Sequence, residues 1–260
     1  NLYFSKTHQL VIGNTTFQMI HTPGETPDQT TIWIPELSAV FVGDNYYEYF
    51  INNSTFRGTM IRPVSGYIQA IEKALSFDPH YFLMGHGTPL LSRKEVRDTA
   101  GTFLEALKYV YEETIKRINS GKDVHTIMQE VKLPERFGIG QYYGKVEWTV
   151  RGIWQEYVGW FDENPATMYS EPFSDLFGDL AELAGPEKVI ARAKDYLEQK
   201  QFVKVLHLTD IILGQDPGHR EANQTRLNAL KGLKAGTYNY IERIWLNYGI
   251  RLCERNLNQN

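Results

Sequence analysis

The sequence predicts an α/β unit followed by an all-α one, and three observations carry that reading. Short β-prone runs separated by turns fill the stretch from Gln9 to Asn45. A segment of helical spacing and one more short apolar run come next, the strand, helix, strand order of layered α/β folds. From Ser92 onward the apolar residues recur almost entirely at helical spacing. The domain boundary is placed near Leu91, dividing the chain into residues 1–91 and 92–260.

Taken in order, the β-prone runs are Leu10 to Ile12, Thr16 to Ile20, Thr31 to Ile34 and Val40 to Val42, with Gly13-Asn14 as a hairpin turn between the first two. Ile68, Ile71 and Leu75 space a helix over Tyr67 to Phe77, and Tyr81 to Met84 is the next short apolar run. Ser92 and Glu95 form a capping box that opens a helix carrying Phe103, Leu104, Leu107, Val110 and Tyr111. Further helices are predicted at Val124 to Val131, Val146 to Val158, Lys188 to Gln199, Phe202 to Leu213, His219 to Leu233 and Thr237 to Cys253. The pair Lys188 to Gln199 and Phe202 to Leu213, followed by Asp216-Pro217 and another helix, looks like the helix pairs of tetratricopeptide-type repeats. About one and a half units fall short of the roughly three that a free-standing solenoid needs, so packing against the rest of the protein or a second subunit is expected.

Composition narrows the function. An apolar content of 42%, with 13% aromatic residues, supports substantial packed cores. A formal charge of -4 provides no broad basic field to hold a nucleic-acid backbone, so nucleic acid is not an expected partner. Cys253 is the only cysteine, which excludes an internal disulfide and a thiolate metal cluster. No apolar run approaches the roughly 20 residues of a membrane-crossing helix, and no targeting segment is visible, leaving the compartment open. The chain starts without an initiator Met, and a preceding segment is expected.

Three predicted strand ends each deliver a potential metal ligand beside a glycine: Glu25 after Gly24, Asp44 after Gly43, and His86 between Gly85 and Gly87. Alone, each reads as an ordinary turn, capping or structural residue. Together they share one economical cause, because carboxylate and imidazole suit zinc or a similar divalent ion and glycine lets the backbone turn sharply.

The run His21 to Asp28, the segment Phe41-Val42-Gly43-Asp44 and the segment Gly85-His86-Gly87 resemble the second half of the metallo-β-lactamase fold. There a TPG motif, a bridging carboxylate and a last His supply metal ligands. Most members carry a His after the TPG, whereas the alkylsulfatase branch carries Glu, the residue found here as Glu25. That branch places its second carboxylate 19 positions later, which is where Asp44 stands, although Glu is usual at that position. The stretch Asn52-Asn53-Ser54-Thr55-Phe56-Arg57-Gly58 resembles the branch's Asn-x-x-Thr-x-Arg-Gly segment, whose Asn and Arg contact the sulfate. Asn52 and Arg57 inherit that role by resemblance: a planar guanidinium fork suits a tetrahedral oxyanion, and an amide adds a neutral donor.

Tyr142-Tyr143-Gly144 and Gly159-Trp160-Phe161-Asp162-Glu163-Asn164-Pro165 look like the branch's helical dimerisation domain. In several members a His five positions after the second Tyr is a candidate proton donor; Trp148 stands there in this chain, so no catalytic residue is carried over. Arg151, Trp154 and Tyr157, near one helical face with Trp148, are read as core rather than site.

The resemblance thus implies a partial αββα metallo-β-lactamase sandwich followed by an all-α dimerisation domain. It also implies a homodimer that hydrolyses a small alkyl sulfate ester, with two zinc ions held in part by Glu25, bridging Asp44 and His86. The branch's His-x-His-x-Asp-His motif occurs nowhere in these residues, so a fragment inactive on its own is expected. Two alternatives stay open: another esterase of the same fold, cleaving phosphodiesters or thioesters, and a non-catalytic dimerisation scaffold.

Overall fold

The computed structural model describes residues 3–54, 56, 58 and 60–259. Five strands form one sheet in the order β1-β2-β3-β4-β5: β1 (Thr7–Ile12), β2 (Thr15–His21), β3 (Thr30–Ile34), β4 (Ala39–Gly43) and β5 (Tyr81–Met84). Ile12 stands opposite Thr15, leaving Gly13-Asn14 as a two-residue turn. Gly13 takes φ +61°, the left-handed conformation that such hairpin turns require at their first central position. β1 to β4 run antiparallel in succession, and β5 lies parallel to β4 after a crossover through α1 (Val64–Leu75).

One core fills the first unit. Val40, Val42 and Phe82 of the sheet meet Val64, Tyr67, Ile68 and Ile71 of α1. Val96, Phe103, Leu107 and Val110 of α2 (Arg93–Asn119) join the same cluster, with Ile127 of α3 (Val124–Glu130) and Val146, Val150 and Ile153 of α4 (Val146–Tyr157). The Ser92 hydroxyl caps α2 by accepting from the Glu95 amide at 3.2 Å. The Glu95 carboxylate accepts in return from Leu91 N–H at 2.8 Å, one residue before the cap itself.

The chain divides into two compact units, Asn1–Trp160 and Phe161–Asn260. The change of character at Leu91 marks where strands give way to helices. The packing boundary comes later, because α2 and α4 bury their apolar faces in the sheet's core. The second unit contains α5 (Phe177–Ala184), α6 (Pro186–Glu198), α7 (Phe202–Gln215), α8 (Arg220–Ala235) and α9 (Tyr240–Gln259). Each of α6 to α9 packs on its neighbour in sequence, around three small apolar clusters. α5 has no counterpart among the sequence-predicted helices; Phe177, Leu180, Ala181 and Ala184 recur at helical spacing, but its eight residues make only about two turns. No helix among the described residues is long and apolar enough to cross a membrane.

Candidate functional site

Strand direction brings the ligand-type residues together. β3 is antiparallel to both β2 and β4, and β5 is parallel to β4, so β2, β4 and β5 all point the same way. Their C-terminal ends therefore share one edge of the sheet, from which Glu25, Asp44 and His86 depart. All three line one cavity of about 140 Å³, together with Tyr47, Ile51, Asn52, Arg62, Tyr67 and Tyr143.

Asn45 fixes the first two loops to each other. Fully buried, it donates from Nδ2 to the Thr22 carbonyl at 2.8 Å and accepts on Oδ1 from Glu25 N–H at 2.9 Å. A Cβ on Gly24 would stand 2.3 Å from that same Oδ1, so only glycine fits between the loops. Gly85, in the third loop, is constrained alike by the second, since its Cβ would lie 2.3 Å from Oδ1 of Asp44. The glycines beside the ligand residues thus serve close approach of one loop to the next.

Two polar pairs face the cavity. His86 Nδ1 and Asp44 Oδ1 are 2.7 Å apart on the open side, where the His86 side chain is 69% exposed. On the enclosed side Arg62 Nη2 meets Glu25 Oε1 at 2.5 Å, with both side chains largely buried. Arg62 also reaches the loop that carries Asn52: its Nη1 donates to the Asn52 carbonyl at 3.4 Å and its backbone N–H to the Asn53 carbonyl at 3.1 Å. Sequence reading missed Arg62, which lies in no motif and no periodic stretch; an Arg just before the Pro that starts a helix gives no signal of its tertiary partner. Tyr67, also unforeseen, forms part of the buried wall. Burial pushes its hydroxyl far above the ordinary phenol range, against the pull of Arg62, so it remains a neutral donor.

Asn52 sits in the cavity wall only 3% exposed, and its Oδ1 has no hydrogen-bond partner. A buried polar atom left unpaired is costly, and this one lines a cavity of ligand size. Arg57 lies outside the described residues. The loop bearing Asn52 is seated on the Tyr-Tyr-Gly motif: Gly144 N–H donates to the Phe50 carbonyl at 3.0 Å, and a Cβ on Gly144 would collide with the Ile51 carbonyl at 1.7 Å. Tyr143 of the motif closes the cavity against Tyr47, ring to ring at 5.6 Å. Trp148 is not in the cavity wall; it packs edge-on against Phe56 at 4.7 Å, bracing the far side of the same segment.

The donor set of two carboxylates and one imidazole is of the kind that divalent ions take. Glu25, Asp44 and His86 therefore fit a metal as part of its ligand shell. They do not complete one, since among the described residues no three His, Cys, Asp or Glu side chains are grouped closely enough to hold an ion.

Residues 123–251 match the family model for alkyl sulfatase dimerisation. A linear primary-alkylsulfatase from Pseudomonas sp. is 27% identical over 237 residues, covering 88% of this chain and 35% of that protein. An alkyl/aryl-sulfatase of Saccharomyces cerevisiae is 22% identical over 220 residues, covering 81% of this chain and 34% of its own length. The solved structure of the stereoselective inverting sec-alkylsulfatase Pisa1 from Pseudomonas sp. superposes with a TM-score of 0.89 at 21% identity, a likeness of fold covering 97% of this chain and 42% of that one. The chain spans between about a third and somewhat under half the length of the relatives it matches. Residues 123–251 thus match the alkyl sulfatase dimerisation family, and most of the chain is similar in sequence and fold to alkylsulfatases.

Proposed function

We propose that the protein to which these residues belong hydrolyses alkyl sulfate esters to sulfate and an alcohol, as a homodimer, with zinc as its metal. The observation that carries this reading is the single cavity at the strand ends, which unites Glu25, Asp44 and His86 with the buried amide of Asn52. Glu25, Asp44 and His86 would hold metal in a two-zinc centre whose other ligands come from residues outside these 260. Bound there, zinc would supply an acidified water and a Lewis acid for the ester.

The chain's own residues do the rest. Asn52 offers the N–H of its buried amide to a sulfate oxygen, while its unpaired Oδ1, an acceptor, is left for a donor entering the cavity. Arg62 neutralises Glu25 and holds the Asn52 loop against it, so the amide is in position before substrate arrives. We assign the guanidinium of Arg57 to the sulfate as well. The rings of Tyr47, Tyr67 and Tyr143 exclude water from the reacting ester, and the proton on the Tyr67 hydroxyl is retained at any working pH.

The test is sulfate release from a linear alkyl sulfate by the full-length protein and its Asn52→Ala variant, alongside zinc content. Turnover should fall by about 10- to 1,000-fold, the usual range for removing one preorganised donor, while zinc content is unchanged. Full activity in the variant, or turnover of thioesters or phosphodiesters in place of sulfate esters, would remove the sulfatase reading.

A further inference from the structure

α9 is apolar on two sides. Ile241, Ile250 and Cys253 are buried, the last two in a cluster with Leu227 and Leu230 of α8. On another side Ile244, Trp245, Tyr248 and Leu252 are 44%, 49%, 55% and 42% exposed. Positions 244, 248 and 252 are four residues apart, so they form one row along the helix, with Trp245 beside it and stacked edge-on to Tyr248 at 5.9 Å. Isolated exposed apolar residues are ordinary, but a continuous apolar row carrying two aromatic rings is the pattern of a surface that meets a partner.

We propose that this row is the centre of an isologous contact in which α9 packs antiparallel on α9 of a second copy of the chain, with the two-fold axis passing near Tyr248. The proposal rests on the homodimer reading above and names its surface. Two observations select a second copy as the occupant. The matched dimerisation region runs to residue 251 and so contains all of the row but Leu252. The row is also self-complementary in one orientation only. Turned about Tyr248, the antiparallel arrangement sets Ile244 level with Leu252 of the partner subunit and Arg251 level with the partner's Trp245. Arg251 is exposed and has no ion pair among the described residues, so its guanidinium is available to an aromatic ring. The parallel arrangement would set Arg251 level with the partner's Arg251, two like charges across a desolvated seam. Glu254 does not relieve that repulsion, because it is engaged by Lys231 of α8 at 3.4 Å.

The experiment is sedimentation equilibrium on the full chain and on Trp245→Glu and Tyr248→Glu variants, with circular dichroism to verify folding. The wild type should be a dimer, and each variant should dissociate at least about 30-fold more readily, the effect of losing a central hot spot. A second variant, Tyr248→Cys in a Cys253→Ser background, should form a disulfide-linked dimer on mild oxidation, which stands even where a glutamate variant misfolds. A wild type that is monomeric at high micromolar concentration would remove both the homodimer reading and this surface. A wild-type dimer that tolerates both glutamates and yields no linked species would remove the surface alone.

Discussion

Asn45 carries no charge, yet the cavity depends on it. Its carboxamide is the sole partner shown for the Glu25 N–H and it also holds the Thr22 carbonyl, so Asn45→Leu would strand two buried backbone groups. At about 1 to 3 kcal/mol for each buried group left unpaired, the loss of stability should be about 2 to 6 kcal/mol. Urea denaturation measures it, and an unchanged midpoint would mean the loops are held by something else. Glu156 supplies a second residue-level test. One of its carboxylate oxygens accepts from the Ser65 hydroxyl at 3.1 Å and the other is buried without a partner. Burial raises its pKa, outweighing the hydrogen bond from Ser65. A carboxyl with a raised folded pKa keeps its proton in the folded state over the interval in which the unfolded chain has lost it. Stability therefore falls as pH climbs from the ordinary value of 4.5 to the raised one, and stays lower above it. Glu156→Gln should leave the denaturation midpoint little changed near pH 4 and raise it near pH 8. Equal effects at both pH values would contradict the assignment.

Among the elements, the Tyr-Tyr-Gly segment shows most directly how packing carries into the site. Gly144 lies against the Ile51 carbonyl, so Gly144→Ala must push away the backbone one residue before Asn52. Overpacking of this kind costs about 1 to 3 kcal/mol. In the full-length protein we expect the variant to lower sulfate-ester turnover like a change at Asn52 does, although residue 144 is outside the cavity lining. Turnover equal to wild type would mean the loop is free to shift without consequence. The element-level record also shows what sequence reveals. Strands, turns and most helices were legible because periodicity and turn chemistry are local: Gly13-Asn14, the Ser92 cap and the run Tyr81 to Met84 stand where local rules put them. The ligand-type residues were legible because glycine flanks them and they follow apolar runs. Arg62, Asn45 and Tyr67 were not, since each matters through a partner 20 or more positions away or through burial alone. α5 escaped notice because its apolar stripe spans only eight residues, about two turns, too short to stand out from the polar and Pro-containing stretch before it.

At the scale of the molecule, the two compact units are built on different principles. Residues 1–160 share one continuous core running from the sheet through α1, α2 and α4, so damage at any point is felt throughout. Residues 161–260 bury three small clusters, two of them joining helices two apart in sequence as well as neighbours, with no large common core. Phe103 is 2% exposed in the first core, where its ring stands edge-on to Tyr46 at 4.9 Å. Phe103→Ala should cost the first unit about 3 to 5 kcal/mol, combining lost transfer energy with the cavity left behind. Because α6 to α9 draw on none of that core, amide-exchange protection across residues 186–259 should be unchanged, while protection falls together in β4, β5, α1 and α2. Mass-spectrometric hydrogen exchange on the variant separates the cases. Equal loss of protection in both units would mean that they fold as one cooperative block. A loss confined to α2 would mean that the first core is itself subdivided between sheet and helices at Leu91.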